Sequence, residues 1–204
     1  PFYAELVRMH KEEGLSFANV ISFNLDEYSG LDRDHPESYW YFMHTNLFNH
    51  IDMKPENINL PSGTVKGDEI AAHCAAYEQK IKDCGGIDLQ ILGIGRTGHI
   101  GFNEPGESFD KQVHCVNLTE STIEANKRFF ASAEDVPKQA YTMGIKTIMQ
   151  AKKILIVASG EDKAEIVQKA FFGPITPQVP ASVLQLHNDV TLVADEAALS
   201  KLSE

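Results

Sequence analysis

Apolar and polar positions along the chain follow two different periods. Short apolar runs of strand length are separated by longer stretches in which apolar residues recur every three or four positions, as on one face of a helix. The predicted strands are 20–24, 89–93, 154–158 and 190–194. The predicted helices are 2–13, 38–48, 68–84, 120–130, 142–150 and 163–171.

This alternation of strands and helices predicts an α/β fold. We expect a Rossmann-like open, mostly parallel sheet with helices on both faces. The chain has 204 residues, of which 43% are hydrophobic, and no repeat or linker-like segment divides it. A single domain over residues 1–204 is therefore predicted.

The most informative segment is the glycine-rich stretch 93–106, which has five glycines in fourteen residues. It follows an apolar run, 88–92, that indicates a buried strand. Glycines let the backbone turn sharply and lie close to a ligand. Between them stand His99 and Glu104, whose side chains are the kind that transfer protons near neutral pH. The segment predicts a catalytic loop at the end of a strand.

Two further polar motifs follow predicted strands, at 25–28 and 159–163. Ligands of open α/β sheets bind at the carboxyl ends of the strands, so we expect one pocket there. Asp26 in the first motif is either a base at the pocket edge or a solvated helix cap. Lys163 in the second either assists phosphate binding at a helix start or is a surface lysine. Arg128 is a surface residue unless its segment folds over the pocket.

The net charge, the cysteines and the length of the apolar runs limit the binding partners and the compartment that the sequence predicts. A formal net charge of −11 argues against nucleic acid and anionic membranes but leaves room for a local phosphate site. Three cysteines without a CxxC spacing favour a reducing cytoplasm over a disulfide framework or zinc site. No apolar run has the length of a bilayer-spanning helix.

Cofactors are not expected. The spacing Gly93-x-Gly95-x-x-Gly98 matches the dinucleotide fingerprint, but Pro105 and Gly106 prevent the following helix that nicotinamide binding requires. His99 and Glu104 do not form an HExxH pattern, and no third ligand is evident, so no metal is predicted.

Taken together, these motifs make the sequence strongly resemble the glucosamine-6-phosphate deaminases, closest to their shorter bacterial members. The resemblance runs over essentially the whole chain. The motifs that carry it are NLDEYSGL at 24–31, GHIGFNEPG at 98–106, ANKRFF at 125–130, VPKQA at 136–140 and PASVLQ at 180–185.

The resemblance implies a cytoplasmic hydrolase of amino-sugar (N-acetylglucosamine) catabolism that acts without cofactor or metal. It would convert glucosamine 6-phosphate and water into fructose 6-phosphate and ammonia. Ring opening exposes an aldehyde, and a base then moves a proton between C2 and C1 through an enolamine. By resemblance, Asp26 is that base, His99 shuttles the proton at the ring oxygen, and Glu104 orients the imidazole.

The same resemblance indicates which residues bind the phosphate group of the substrate. Arg128 and Lys163 match phosphate-binding positions, and Gly95 and Gly98 belong to the loop that contacts substrate. Arg128 lies in a segment, about 118–143, that is expected to close over the site as a lid.

The sequence departs from the family at two places. Thr97 stands in the catalytic loop where the family often carries Asp and its shorter members often carry Asn, so Glu104 is expected to orient His99 alone. The family also has a strand and a glycine-rich phosphate loop before the helix that starts near Phe2. Pro1 corresponds to the last residue of that loop, so we expect a domain that lacks its N-terminal strand.

Regulation and rival functions complete the expectations. The stretch 107–116 lacks the basic pair through which larger members respond to N-acetylglucosamine 6-phosphate, so such control is not expected. The oligomeric state stays open between a monomer and a small homo-oligomer. The rivals are a 6-phosphogluconolactonase-like hydrolase and a non-catalytic sugar-phosphate sensor; the first lacks the sequence that follows the glycine loop, and the second needs no catalytic base.

Overall fold

The computed structural model describes residues 2–106 and 108–202. The chain forms two compact units. The first unit contains the residues up to His73 together with Cys115–Tyr141, and the second contains Cys74–His114 together with the residues from Thr142 onward. Among the described residues, no helix is long and apolar enough to cross a membrane.

Helices and strands alternate along most of the described chain. The helices are α1 (Phe2–Glu13), α2 (Tyr39–Asn46), α3 (Glu69–Asp83), α4 (Glu120–Asn126), α5 (Ile145–Met149) and α6 (Ala164–Phe172). The strands are β1 (Ser22–Phe23), β2 (Asp26–Ser29), β3 (Ile58–Asn59), β4 (Leu89–Gly93), β5 (His114–Asn117), β6 (Gln139–Thr142), β7 (Lys153–Ala158) and β8 (Val190–Ala194). Short 3₁₀ turns include Lys127–Phe129, Glu161–Lys163 and Pro180–Leu186.

The second unit is built on a parallel sheet of three strands in the order β4-β7-β8. Ile91 pairs with Leu155, and Leu155 pairs with Thr191. The three strands come from apolar runs that the sequence identified, and intervening helical stretches provide the crossovers that parallel pairing requires. The sheet ends at Gly93 and Ala158, from which the glycine-rich loop and the 159–163 turn lead away.

The strand before the glycine-rich loop is buried on one face only. Gln90 is 6% exposed and Leu92 2%, whereas Leu89 is 52% and Ile91 38% exposed. The strand predicted at 88–92 is thus present as β4, but only one of its faces is buried. A strand directs successive side chains to opposite faces, and here one face packs inward while the other meets solvent.

The first unit contains two small sheets. β1 and β3 pair in parallel, and a second sheet has the order β2-β6-β5. Residues Met43, Leu47, Phe48 and Met53 form a hydrophobic cluster. The inner face of α1 packs against this cluster, so burial of apolar surface holds α1 in place.

Most predicted elements are confirmed, and the α/β class with parallel strands is confirmed as well. Strands β2, β3, β5 and β6 were not predicted. Helix 142–150 begins later than predicted, because Thr142 ends strand β6 and Gly144 occupies the position before α5. Pro1, on which the expectation about the N-terminal loop rests, lies outside the described residues, as does Glu107 of the stretch 107–116.

Candidate functional site

Asp26 is the first residue of β2 rather than part of a loop after a strand. Its residue surface keeps intermediate solvent accessibility, yet enough protein surrounds the carboxyl group that desolvation raises its pKa to about 7. The charge of Glu27 is the second cause of that rise. A carboxyl group with a pKa near neutrality can take up and release a proton at working pH, as a general base must.

Glu27 holds the start of α2. Its carboxylate accepts backbone N–H bonds from Tyr28 at 2.8 Å, Tyr39 at 3.0 Å and Trp40 at 2.9 Å. The side chain is 2% exposed, and burial raises its pKa while the three hydrogen bonds oppose that rise. A carboxylate at a helix N-terminus also interacts favourably with the helix dipole. Glu27 therefore fixes the strand that presents Asp26 against α2.

Aromatic side chains pack against Tyr28 of β2. The rings of Tyr28 and Tyr39 stack at a centroid distance of 5.2 Å. Phe130 meets Tyr28 edge-on at 5.9 Å and stacks on His35 at 6.1 Å. Desolvation raises the pKa of Tyr39, and the charge of Asp26 raises it further. The effect of Asp26 on Tyr39 indicates that the carboxyl group lies near this aromatic group.

The glycine-rich loop in the second unit folds tightly on itself. The amide of Gly95 donates to the carbonyl of His99 at 2.9 Å, and the amide of Gly98 donates to the carbonyl of Gly95 at 3.0 Å. A Cβ atom at Gly95 would lie 2.0–2.4 Å from atoms of the His99 ring. Gly98 has a φ of +81°, which favours glycine. Both amides are engaged within the loop, so substrate binding through Gly95 and Gly98 stays a prediction.

Three side chains meet at the end of this loop. The Oγ1 atom of Thr97 lies 2.9 Å from His99 Nδ1 and donates to Glu104 Oε2 at 2.9 Å. His99 Nδ1 lies 3.3 Å from the same Oε2 atom. The side chains of His99 and Glu104 are 30% and 14% exposed. The expectation that Glu104 alone orients the ring is wrong, because the threonine hydroxyl reaches Nδ1 as well.

The loop is anchored to its surroundings. The side-chain amide of Asn103 donates to the carbonyls of Ile100 and Met143, both at 2.8 Å. Ile100 is fully buried, and the backbone N–H of Phe102 donates to Thr142 Oγ1 at 3.1 Å. Turns rather than a helix follow the loop in the described residues, unlike in a dinucleotide-binding unit.

The 159–163 turn lies beside this loop. Lys163 Nζ donates to the carbonyl of Ile94 at 3.0 Å, which brings an ammonium group to the loop's first residues. Arg96 Nε lies 3.3 Å from Asp162 Oδ2. The amide of Gly160, at the start of this turn, donates to the carboxylate of Asp195 at 3.0 and 3.1 Å.

Arg128 lies in the first unit, in the 3₁₀ turn that follows α4. Its guanidinium carbon stands 4.6 Å from the centroid of the Phe129 ring. The residue is exposed, and within the described chain no carboxylate forms an ion pair with it. Its neighbour Lys127 does pair with Glu124, so Arg128 is the cation of this turn that remains available for an anion.

The predicted site residues are divided between the two units. Asp26 and Arg128 belong to the first unit, whereas Thr97, His99, Glu104, Gly95, Gly98 and Lys163 belong to the second.

The sequence analysis missed Asp195, which holds the 159–163 turn through Ser159 at 2.5 Å as well as through Gly160. Asp195 directly follows β8, so the signal used for the other motifs, a polar residue at a strand end, would have found it. Among the described residues, no group of three His, Cys, Asp or Glu side chains could hold a metal ion.

Comparisons of the sequence and of the structure with known proteins point to the same family. The model of the family described as glucosamine-6-phosphate isomerases/6-phosphogluconolactonase matches residues 1–193. A glucosamine-6-phosphate deaminase of Thermoanaerobacter sp. (strain X514) is 54% identical over 202 residues, which are 99% of this chain and 79% of the relative.

Two solved structures extend the comparison. A monomeric glucosamine-6-phosphate deaminase is 49% identical with a TM-score of 0.93, covering 98% of this chain and 82% of that one. A 6-phosphogluconolactonase from Leishmania guyanensis has a TM-score of 0.72 at 20% identity, covering 99% of this chain and 81% of that one. The second likeness shows the fold alone.

Proposed function

Because this chain belongs to the family of glucosamine-6-phosphate isomerases and 6-phosphogluconolactonases, we propose that it converts glucosamine 6-phosphate and water into fructose 6-phosphate and ammonia. The chain is an enzyme of the deaminase type, as its identity of 54% with a full-length deaminase indicates. The reaction places it in amino-sugar catabolism. The observation that carries the proposal is the carboxyl group of Asp26, whose pKa of about 7 suits proton abstraction from a sugar carbon.

Asp26 acts as the base in the isomerisation step. In its ionised form, it removes the proton from C2 of the ring-opened amino sugar and returns a proton to C1. The enolamine formed between these transfers becomes an imine at C2, and water then releases ammonia and leaves the ketose. Burial of the carboxyl group keeps its proton affinity high.

His99 opens the sugar ring before the isomerisation. It accepts the proton of the C1 hydroxyl and delivers a proton to the ring oxygen, as a proton shuttle does. Glu104 supports it with a carboxylate 3.3 Å from Nδ1, which stabilises the imidazolium that forms during the transfer. We propose that ring opening and isomerisation both act on one substrate in a single catalytic domain of residues 1–204.

Two cations bind the substrate's phosphate. Arg128 carries a guanidinium that no carboxylate of the described chain neutralises, and Lys163 presents its ammonium beside the catalytic loop. Gly95 and Gly98 shape the same loop. The segment about 118–143 acts as the lid, and its Phe130 already contacts Tyr28 two residues from Asp26.

Ammonia release from glucosamine 6-phosphate tests the proposal directly. The wild-type chain is expected to release ammonia and fructose 6-phosphate in equal amounts, and Asp26→Asn is expected to lose at least about a hundredfold in kcat. Asp34→Asn, an exposed aspartate of the same unit, is the matched control and should keep wild-type activity. Ammonia release that survives in the Asp26→Asn variant would remove Asp26 from the role of base.

The same preparation separates the rival functions. Hydrolysis of 6-phosphogluconolactone without ammonia release would identify a lactonase. Binding of glucosamine 6-phosphate without turnover of either substrate would identify a sensor. The family model covers both kinds of enzyme, but the chain is 54% identical to a deaminase and 20% identical to a solved lactonase, so deamination is the expected result.

We also propose a cytoplasmic location and a monomeric state. Cys84 and Cys115 are free thiols, as in proteins of a reducing compartment. The solved relative at 49% identity is a monomeric deaminase, which supports a monomer here. Light scattering coupled to gel filtration would reveal a dimer or larger assembly if this assignment is wrong.

A further inference from the structure

Thr97, His99 and Glu104 form a closed triangle of polar atoms. The threonine oxygen is 2.9 Å from both Nδ1 and Oε2, and these two atoms are 3.3 Å from each other. Each side of the triangle is a contact between two electronegative atoms, which is favourable only where a proton lies between them. The positions of the protons can therefore be worked out from the chemistry of the three groups.

The count of protons leaves one consistent arrangement. A glutamate carboxylate is ionised at neutral pH in water and only accepts hydrogen bonds. Thr97 has one hydroxyl proton, which it donates to Glu104 Oε2. The oxygen of Thr97 then serves as an acceptor towards His99, so the proton on the 2.9 Å contact must belong to Nδ1. The same N–H also points towards Oε2 at the longer distance.

The tautomer with its proton on Nε2 cannot account for all three contacts. If Nδ1 carried a lone pair, Thr97 would have to donate its hydroxyl proton to Nδ1. Its 2.9 Å contact with Glu104 and the 3.3 Å contact between His99 and Glu104 would then both join lone pairs, one of them to a carboxylate. Both contacts would be repulsive, and the side chains would separate.

We propose that Thr97 is a positioning residue, whose hydroxyl fixes neutral His99 as the tautomer with its proton on Nδ1 and its lone pair on Nε2. Within the described chain, Nε2 has no hydrogen-bond partner, so it is the ring atom left to exchange a proton with substrate. When Nε2 accepts the proton of the C1 hydroxyl, Nδ1–H stays bonded to Thr97 and Glu104. The ring returns that proton to the sugar oxygen without a change of orientation.

This role differs from that of an acidic residue at the same position. A carboxylate would place a second negative charge beside Glu104, whereas a hydroxyl can donate to Glu104 and accept from His99 at the same time. A threonine thus links the imidazole and the glutamate without charge repulsion. A valine at this position would keep the shape of the side chain and remove both hydrogen bonds.

Nitrogen-15 spectroscopy of histidine-labelled protein tests the tautomer without any substrate. The chain has eight histidines, so the His99 signals are identified by their loss in His99→Gln. Wild type and Thr97→Ser should show a protonated Nδ1 and an unprotonated Nε2 above the pH at which the ring loses its charge. Thr97→Val should show a mixture of tautomers. A wild-type proton on Nε2, or spectra of Thr97→Val that match wild type, would overturn the proposal.

Kinetics supply the second measurement, and this arm rests on the proposed deaminase activity. Thr97→Val should lower kcat about tenfold and change KM less than about twofold. The variant loses a hydrogen bond that orients His99 but keeps the groups that bind substrate. Thr97→Ser should stay within about threefold of wild type, and Thr191→Val, on the exposed face of β8, should not change kcat. Equal kcat values for the valine and serine variants would contradict the positioning role. Absence of ammonia release by wild type would instead reject the proposed function and leave the tautomer result standing.

Discussion

Asp26 and Glu27 are consecutive carboxylates of one strand with different partners. Glu27 is bound by three backbone N–H groups, whereas its charge acts on Asp26 and, after burial, is the second cause of the raised pKa of Asp26. The buried neighbour that holds α2 thus also tunes the group that we assign as the base.

Activity should therefore depend on pH through Asp26. The ionised form is the base, so kcat/KM is expected to rise with pH and to level off above a midpoint near pH 7. A profile of kcat/KM from pH 5 to 9 at constant ionic strength measures this limb. A profile that is flat over this range, as for an aspartate with the ordinary value of 3.8, would show that the carboxyl group is not desolvated in solution.

Stability should depend on pH in the opposite sense. The folded pKa of Asp26, about 7, lies above its ordinary value of 3.8, so the folded state holds this proton more tightly than the unfolded state. The stabilisation is complete below pH 3.8 and is lost as pH rises through 7. Asp26→Asn cannot ionise and should be more stable than wild type by up to about 4 kcal/mol at pH 8, but by little at pH 4. Urea unfolding at both pH values measures the difference, and Asp34→Asn should show none of this dependence.

Glu27→Gln should separate the two roles of Glu27. Loss of the neighbouring charge should move the acid limb of kcat/KM to lower pH by roughly half to one unit. Loss of carboxylate bonds to the start of α2 should lower the free energy of unfolding by about 1–3 kcal/mol. The exposed residue Glu56 offers a control, since Glu56→Gln should change neither quantity. An acid limb that does not move would show that Glu27 has no electrostatic influence on the base.

Two glycines at the start of the catalytic loop should differ sharply in their tolerance of a methyl group. A Cβ atom at Gly95 would collide with the ring of His99, whereas one at Gly93 meets nothing within 4 Å. Gly95→Ala should displace the imidazole and lower kcat about a hundredfold or more, while Gly93→Ala should stay within about twofold of wild type. Thermal unfolding of both variants shows whether any loss of activity reflects loss of the fold. Similar kcat values for the two variants would show that the ring orientation does not matter.

Arg128 and Lys163 should affect substrate binding more than turnover. Arg128→Gln and Lys163→Gln are each expected to raise KM for glucosamine 6-phosphate roughly tenfold or more, because each removes a charge-assisted contact to phosphate. Lys127→Gln, next to Arg128 but paired with Glu124, should leave KM unchanged. Inhibition by inorganic phosphate should weaken in the same two variants and not in the control. An unchanged KM for Arg128→Gln would remove Arg128 from the phosphate site.

Sequence reasoning succeeded where one local signal decided the structure. Strands β4 and β8 have the predicted bounds, because an aspartate precedes each apolar run, and Gly93 and Asp195 mark where the runs end. Strand β2 was missed because Asp-Glu-Tyr-Ser has no apolar pattern. Its burial depends on α2, which provides hydrogen bonds to Glu27 from residues twelve and thirteen positions away. Such non-local compensation is not visible in a window of neighbouring residues.

The candidate site likewise combines features that the sequence predicted with features that it did not. The chemistry of His99, Glu104 and Asp26 could be proposed from residue type and position. The contact between Thr97 and His99 could not, since it depends on a backbone turn that brings side chains two residues apart to the same side. Asp195 itself could have been found from its place at a strand end, but its hydrogen bond to Gly160 could not, because 35 positions separate the two residues.

The anchoring of the glycine-rich loop has a consequence for its motion. Although glycines make a free chain flexible, the side chain of Asn103 ties the loop to Ile100 and Met143, and Ile100 is fully buried. The amide hydrogens of Gly95, Gly98 and Asn103 are all bonded, so they should exchange with deuterium only when the second unit unfolds as a whole. His99 then meets each substrate in a fixed frame, and the proton transfer requires almost no reorganisation of the protein around it.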